Sequence, residues 1–361
     1  MNITPRPVTP RLDALLLRCG LVGAAFVFLA TAWGCGGTED TISSTDEPDL
    51  EDAMEDAPSI DAEDESADTA LPDVPDGERV HVPEEGVLTV EANGLTFGYF
   101  EEGEGPLVLL IHGFPDTPHT FDDIRPALAQ AGFRAVSPFT RGYTPTGIPA
   151  DPLAYDARTQ GEDVLALIEA LGEEEAILVG HDWGAMAVYA AASLAPEKVS
   201  QLVTVAIPHP LGVTFDAEFL MNGSHFLYLA QDDAVEVMSA NDFEHVEELY
   251  ARWSPTWEPP TSEYEPVKNV FAAPGALEAV LGYYRAASPV PDPIFMTPIS
   301  VPTLTIAGRD DGVTPLAFFE DARVGFEDGV YTVVELPGGH FTHRESPDLF
   351  LSALLEFLSS Q

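Results

Sequence analysis

Residues 176–194 constrain this chain more than any other stretch. Ala176, Ile177, Leu178 and Val179 form an apolar run that reads as a short buried strand. Helix formers fill 185–194, and Pro196 ends them. The join between the two is Gly180-His181-Asp182-Trp183-Gly184, a Gly-x-Asp-x-Gly turn. Its glycines let strand and helix approach closely, and the residue between them can hold strained backbone angles that push its side chain into a pocket. The pattern is that of a nucleophile elbow with Asp in place of Ser. An Asp there is already ionised at neutral pH, so it can attack an electrophilic carbon directly and form an ester. Alone, the same residues also suit an ordinary strand-to-helix turn with a capping Asp.

The rest of the chain weighs toward the functional reading. Residues 87–90 and 95–100 read as strands joined at Asn93-Gly94, a hairpin signal. A buried strand at 107–111 runs into His112-Gly113-Phe114-Pro115, and a helix at 124–131 stops at Gly132. A strand at 133–137 is followed by Arg141-Gly142-Tyr143, and 159–171 is an amphipathic helix. Strand patterns return at 199–207, 303–307 and 330–336, and a last helix covers 347–358. This alternation implies an α/β class with a mostly parallel sheet covered on both faces. It breaks between about 209 and 298, a helical and aromatic stretch that includes Phe215, Phe219, Phe226, Tyr228, Trp253 and Tyr284. We read that stretch as a cap over the C-terminal edge of the sheet, where open α/β folds bind ligands, roofing an apolar pocket.

Composition narrows the partners. A formal net charge of -46 makes nucleic acid and anionic membrane surfaces poor ones. At the N-terminus, Arg6, Arg11 and Arg18 precede an apolar run at 21–33, short for a membrane span but suited to a secretory h-region. Residues 1–34 therefore read as a signal peptide. The sequence Ala32-Trp33-Gly34-Cys35 resembles the end of a bacterial lipoprotein signal, which implies export, lipid on Cys35 and attachment to a membrane of the cell envelope. A cleaved signal without lipid and an uncleaved anchor stay open as readings. The other cysteine, Cys19, would leave with the signal, so the mature domain would need no disulfide. Residues 36–78 hold no Lys, Arg or aromatic and are rich in acidic residues; they cannot bury enough apolar area to offset their ordering entropy. We assign 35–79 to an acidic disordered tether and 80–361 to the folded domain.

Two further strand ends carry chemistry: Gly308-Arg309-Asp310-Asp311 and Gly338-Gly339-His340-Phe341. Nucleophile, acid and histidine then follow the chain order of α/β-hydrolases. With His112 to Pro115, Arg141 to Tyr143 and Tyr283-Tyr284-Arg285, these motifs make residues 87–358 resemble an α/β-hydrolase of the epoxide hydrolase group. Their joint order and spacing are far more specific than any one motif. The resemblance implies the α/β-hydrolase fold, an inserted helical cap at about 209–298, and a small apolar epoxide as substrate. It implies Asp182 as nucleophile, His340 as the base that activates water on the ester, and Asp311 as the acid that orients His340, with Asp310 as fallback. The backbone N–H groups of Phe114 and Trp183 would form the oxyanion hole, and Tyr284 would protonate the departing oxygen. No cofactor is needed, and no His, Cys or Asp cluster shows zinc-like spacing along the chain.

The chain departs from that family at one cap position. Phe226 stands where relatives carry a second tyrosine, and Tyr228 lies about 200° further around a helix, so it should face elsewhere. This keeps an alternative open: haloalkane or haloacid dehalogenation with the same three residues, since a halide leaves without a proton. Against it, Phe114 stands where haloalkane dehalogenases carry a polar residue, and no Arg follows Asp182 as in fluoroacetate-type enzymes. His112 and His181 read as structural hydrogen-bonders, and His343 as a weaker rival to His340. The oligomeric state is not legible.

Overall fold

The computed structural model describes residue 79 and residues 81–213 and 221–360. The expected signal segment 1–34, Cys35 and nearly all of the tether lie outside the described residues, as do Phe215 and Phe219. Arg79, the last residue of the expected tether, forks onto Asp242 at 2.7 Å and Glu265 at 2.8 Å.

Eight strands form one sheet in the order β1-β2-β4-β3-β5-β6-β7-β8. β1 (Leu88–Ala92) and β2 (Leu95–Glu102) make the expected hairpin. Ala92 pairs with Leu95, so Asn93 and Gly94 alone make the turn, at φ 41° and 75°. Two positive φ values in succession match the hand of twist that tight hairpins need. β2 pairs antiparallel with β4 (Arg134–Pro138). All later pairings are parallel, through β3 (Leu107–Ile111), β5 (Ala176–His181), β6 (Val199–Val205), β7 (Thr303–Gly308) and β8 (Tyr331–Leu336).

Helices cover both faces, which is why the central strands are apolar throughout rather than alternating. β3 is buried at every position. Leu109 and Ile111 point into one apolar cluster with Leu178 and Val188, and Val108 and Leu110 into another with Val179 and Phe350; this is the period of two in a pleated strand. The flanking helices include α1 (Ile124–Gln130), α2 (Ala157–Ala170) and α3 (Trp183–Leu194). Asp156 caps α2 by accepting the Thr159 N–H at 3.0 Å.

The cap begins after β6. It contains α4 (His225–Leu229), α5 (Ala234–Trp253), α6 (Glu265–Phe271), α7 (Ala276–Val280) and α8 (Gly282–Ala286). Two tyrosines pin it to the core: Tyr250 Oη donates to Pro115 O at 3.2 Å and Tyr283 Oη to Arg141 O at 3.0 Å. Arg141 is itself locked by a buried fork onto Asp163, both bonds 2.5 Å. The chain then returns through β7, α9 (Ala317–Asp321), β8, α10 (Thr342–Glu345) and α11 (Pro347–Ser359). Among the described residues no helix is long and apolar enough to cross a membrane.

β3 lies between β4 and β5, so the strand order reverses there. The loops leaving β3 and β5 diverge at their C-terminal ends and open a crevice, the switch point at which open α/β sheets bind ligands. The motifs at 112–115 and 180–184 occupy those two loops.

Candidate active site

Asp182 sits between β5 and α3 with φ 51° and ψ -120°. L-residues rarely hold a positive φ, and such strain persists only where the surroundings enforce it. Here the glycines do so: a Cβ on Gly184 would collide with the Ile111 carbonyl, and one on Gly180 with the Gly184 carbonyl. Helix and strands thus pack so closely that the turn has no other path.

The elbow aims Asp182 into the crevice. Its Oδ1 accepts the Phe114 N–H at 2.8 Å, and its Oδ2 lies 3.4 Å from His340 Nε2, an ion-pair distance longer than a good hydrogen bond. On the other side of the ring, His340 Nδ1 meets Asp311 Oδ2 at 3.0 Å. Asp311 is held in turn, its Oδ1 accepting the N–H groups of Val313 at 2.7 Å and Thr314 at 3.1 Å. Three residues from three strand ends therefore meet in one line. Asp310 is exposed on the surface, so Asp311 is the residue that reaches His340.

Their electrostatics are coupled. Burial pulls the His340 imidazole down, but the Asp311 and Asp182 carboxylates override it and push the ring up to about 10. Burial raises Asp182, yet the bond and charge of His340, with the Phe114 amide, leave its carboxyl below the usual range. The resting pair is an imidazolium between two carboxylates.

The oxyanion-hole expectation divides. Phe114 N–H is in place, whereas among the described residues no hydrogen bond joins the Trp183 amide to Asp182. Trp183 contributes its ring instead, 5.5 Å edge-on from Tyr284 and 5.8 Å from Phe226. Tyr284 is buried between Phe114 at 5.0 Å and Phe226 at 5.3 Å. Burial, then the nearby Asp182 charge, hold its phenol well above the usual value, so it stays protonated.

The other tyrosines are structural or turned away. Tyr283 bonds Arg141, and Tyr228 Oη bonds His245 Nε2 at 3.0 Å rather than facing the elbow. His112 bridges Gly113 O at 2.9 Å and the Thr140 N–H at 3.1 Å, and His181 Nε2 donates to His340 O at 3.0 Å. His343 bonds Thr120 at 2.5 Å.

Sequence reasoning missed the residues that hold His340. Its N–H donates to Ser254 Oγ at 2.9 Å, and Ser254 Oγ donates to Glu345 Oε1 at 2.7 Å. Glu345 also accepts the N–H of Gly339 at 2.8 Å and of Phe341 at 3.1 Å. Ser254 lies at the end of cap helix α5, so the cap positions the histidine of the core. Nothing in the spacing of 254 and 345 signals this; only the fold joins them.

Comparison with known proteins agrees with this architecture. Residues 106–347 match the family model described as alpha/beta hydrolase fold. AB hydrolase superfamily protein YfhM of Bacillus subtilis is 28% identical over 75% of this chain and 97% of its own. An epoxide hydrolase of Caballeronia sordidicola is 29% identical over 74% of this chain and 92% of its own. The crystal structure of epoxide hydrolase A from Mycobacterium thermoresistibile superposes with a TM-score of 0.65 at 25% identity, covering 77% of this chain and 99% of that one. The chain is a hydrolase and belongs to the α/β-hydrolase fold family.

Proposed function

We propose that this enzyme hydrolyses a small apolar epoxide to a vicinal diol through an ester on Asp182. The observation that carries the reading is the division of labour between the two Asp182 oxygens. Oδ1 is held by the Phe114 N–H, which leaves Oδ2 as the attacking atom. Oδ2 attacks an epoxide carbon, the carbon–oxygen bond breaks, and the released oxygen takes the Tyr284 proton. Alkylation removes the Asp182 charge that helped to keep His340 protonated. The proton that the imidazolium gives up restores the Tyr284 phenol, and the neutral ring then takes one from water. That water attacks Asp182 Cγ, negative charge builds on Oδ1 facing the Phe114 amide, and collapse releases the diol. Homologues that are epoxide hydrolases support this substrate class.

One oxygen of the diol therefore comes from Asp182. Single turnover in heavy-oxygen water should label the peptide containing Asp182 and leave the first product unlabelled. His340→Gln should form the ester and hydrolyse it slowly, so that the adduct accumulates. Label in the first-turnover product, with none in the peptide, would mean that water attacks the epoxide directly.

Phe226 favours a second reading, dehalogenation, because it leaves Tyr284 without a partner phenol. Halide release that is indifferent to Tyr284→Phe, with no diol from epoxides, would establish that reading instead. Attachment to a membrane through Cys35 rests on the sequence alone. An unmodified mature N-terminus by mass spectrometry would remove it.

A further inference from the structure

Three buried ligand-type atoms outside the catalytic line converge without partners. Asp116, His181 and His343 each bring one ligand-type atom within 4.8 Å of the others', and Asp116 Oδ2, His181 Nδ1 and His343 Nδ1 are the atoms left without a bond. Each residue is less than 5% exposed, and none of the three atoms has a hydrogen bond. His181 Nδ1 lies 3.9 Å from Asp116 Oδ2, too long for a direct bond. Buried polar atoms are nearly always paired, so three orphans facing one another need a common partner.

The outer bonds show what kind of partner. His181 Nε2 bonds a carbonyl oxygen, His340 O, so that nitrogen carries the hydrogen. A neutral ring then presents a bare lone pair at Nδ1. His343 Nε2 bonds Thr120 Oγ1 at 2.5 Å. With Nε2 donating to that hydroxyl, a neutral His343 ring leaves Nδ1 bare as well. The second oxygen of Asp116 accepts the Thr117 N–H at 2.8 Å, which leaves Oδ2 turned inward. With Asp116 ionised, these three unbonded atoms are all acceptors, with no donor among them.

We propose that Asp116, His181 and His343 bind one divalent first-row transition ion. Two neutral imidazoles and a carboxylate suit Zn²⁺ and its neighbours, not Mg²⁺ or Ca²⁺. Each ring already donates its other N–H to an oxygen, the outer support that metal-bound histidines show. Tetrahedral Zn²⁺ needs ligand atoms roughly 3.4 Å apart, so from separations within 4.8 Å the side chains close in by up to about 1.4 Å. Arg344 stands nearby, but it is paired with Glu263, so its charge does not face the site uncompensated. A cavity of about 100 Å³, bordered by Thr120, Glu263 and Arg344, reaches Asp116. The ligands neighbour the catalytic residues in the chain, Asp116 just after Phe114, His181 at the end of β5 before Asp182, and His343 in α10 after His340, so the ion clamps those three segments together.

The test uses untagged full-length protein and reads binding, not turnover, so it stands apart from the epoxide reading. After dialysis against chelator, Zn²⁺ should rebind at one equivalent per chain and raise Tm by roughly 5 °C or more at saturating metal. Co²⁺ should give visible d–d bands that Zn²⁺ abolishes. Asp116→Asn and His343→Gln should each weaken Zn²⁺ binding at least about 10-fold, no less than loss of an outer partner costs. His245→Gln, on the cap surface, should bind as wild type. Folding of the variants is checked by circular dichroism; should either fail to fold, the wild-type titration alone decides. No retained zinc, no cobalt bands and no Tm shift in wild type would overturn the proposal and leave a buried water as the shared partner. Unchanged binding in folded Asp116→Asn and His343→Gln would overturn it equally.

Discussion

At the scale of single residues, each carboxylate around His340 has its own measurable effect. Asp311 is the first cause raising that ring against burial. Asp311→Asn keeps the shape but removes the charge, so the His340 titration should fall from about 10, followed by NMR of the imidazole. It should also lower kcat by about 10²–10⁴, as expected where a histidine loses its orienting acid. A kcat within twofold of wild type would show that Asp311 only fills space. Tyr284→Phe should reduce epoxide opening by about 10²–10⁴, because Phe226 offers no second phenol. Phe226→Tyr should raise opening, since that ring packs 5.3 Å from Tyr284 and 5.8 Å from Trp183. An unchanged rate in Tyr284→Phe would reject the proton-donor assignment.

At the scale of elements, the legible parts were those whose chemistry is local. The Gly-x-Asp-x-Gly turn forces its own geometry, so Asp182 could be placed from five consecutive residues. The Asn93-Gly94 hairpin and the buried apolar strands were readable for the same reason, and the chain order of Asp182, Asp311 and His340 followed once the strands were placed. The cap was readable only as a helical insertion. Its longest helix, α5, leaves helical angles at 240–243, with Asn241, Asp242 and Phe243 at positive φ, and no period predicts such a break. The Ser254–Glu345 support of His340 and the Asp116–His181–His343 cluster were invisible because their members are far apart in the chain and carry no motif. Such long-range supports should matter. Ser254→Ala removes the Oγ that accepts from His340 N–H and leaves Glu345 short of a donor. It should cost about 1–3 kcal/mol in urea unfolding and lower kcat through a looser His340. Arg141→Ala strands buried Asp163 and should cost about 3–5 kcal/mol, with Asp163→Ala similarly severe. A loss under 0.5 kcal/mol in either position would mean that water replaces the missing group.

At the scale of the whole molecule, surface and interior oppose each other in acid. A formal charge of -46 repels itself, so protonating surface carboxylates should favour the compact state as pH falls. The interior argues the reverse. Burial lowers His112 to about 4, and His209 and His225 to about 3, so the folded protein keeps all three rings neutral. Unfolded, each takes a proton near 6.5. The unfolded chain therefore binds more protons between about 6.5 and 3, and stability must fall as pH drops through that window. Each ring contributes up to about 1.4 kcal/mol per pH unit, or about 8 kcal/mol for the three by pH 4.5, which is comparable to a typical total stability. Asp116 works the other way: burial pushes its carboxyl up to about 7, so its protonation favours the fold in acid, but it is one group against these three rings and the likewise depressed His181 and His343. The interior should win, with Tm falling steadily from pH 7 to pH 4.5 and unfolding in that range taking up protons. His209→Gln should flatten the slope, because its ring is buried with Nε2 unpartnered and shifted by desolvation alone. A Tm that holds or rises on acidification would mean that charge relief on the surface governs, and that these rings do not stay neutral inside the fold.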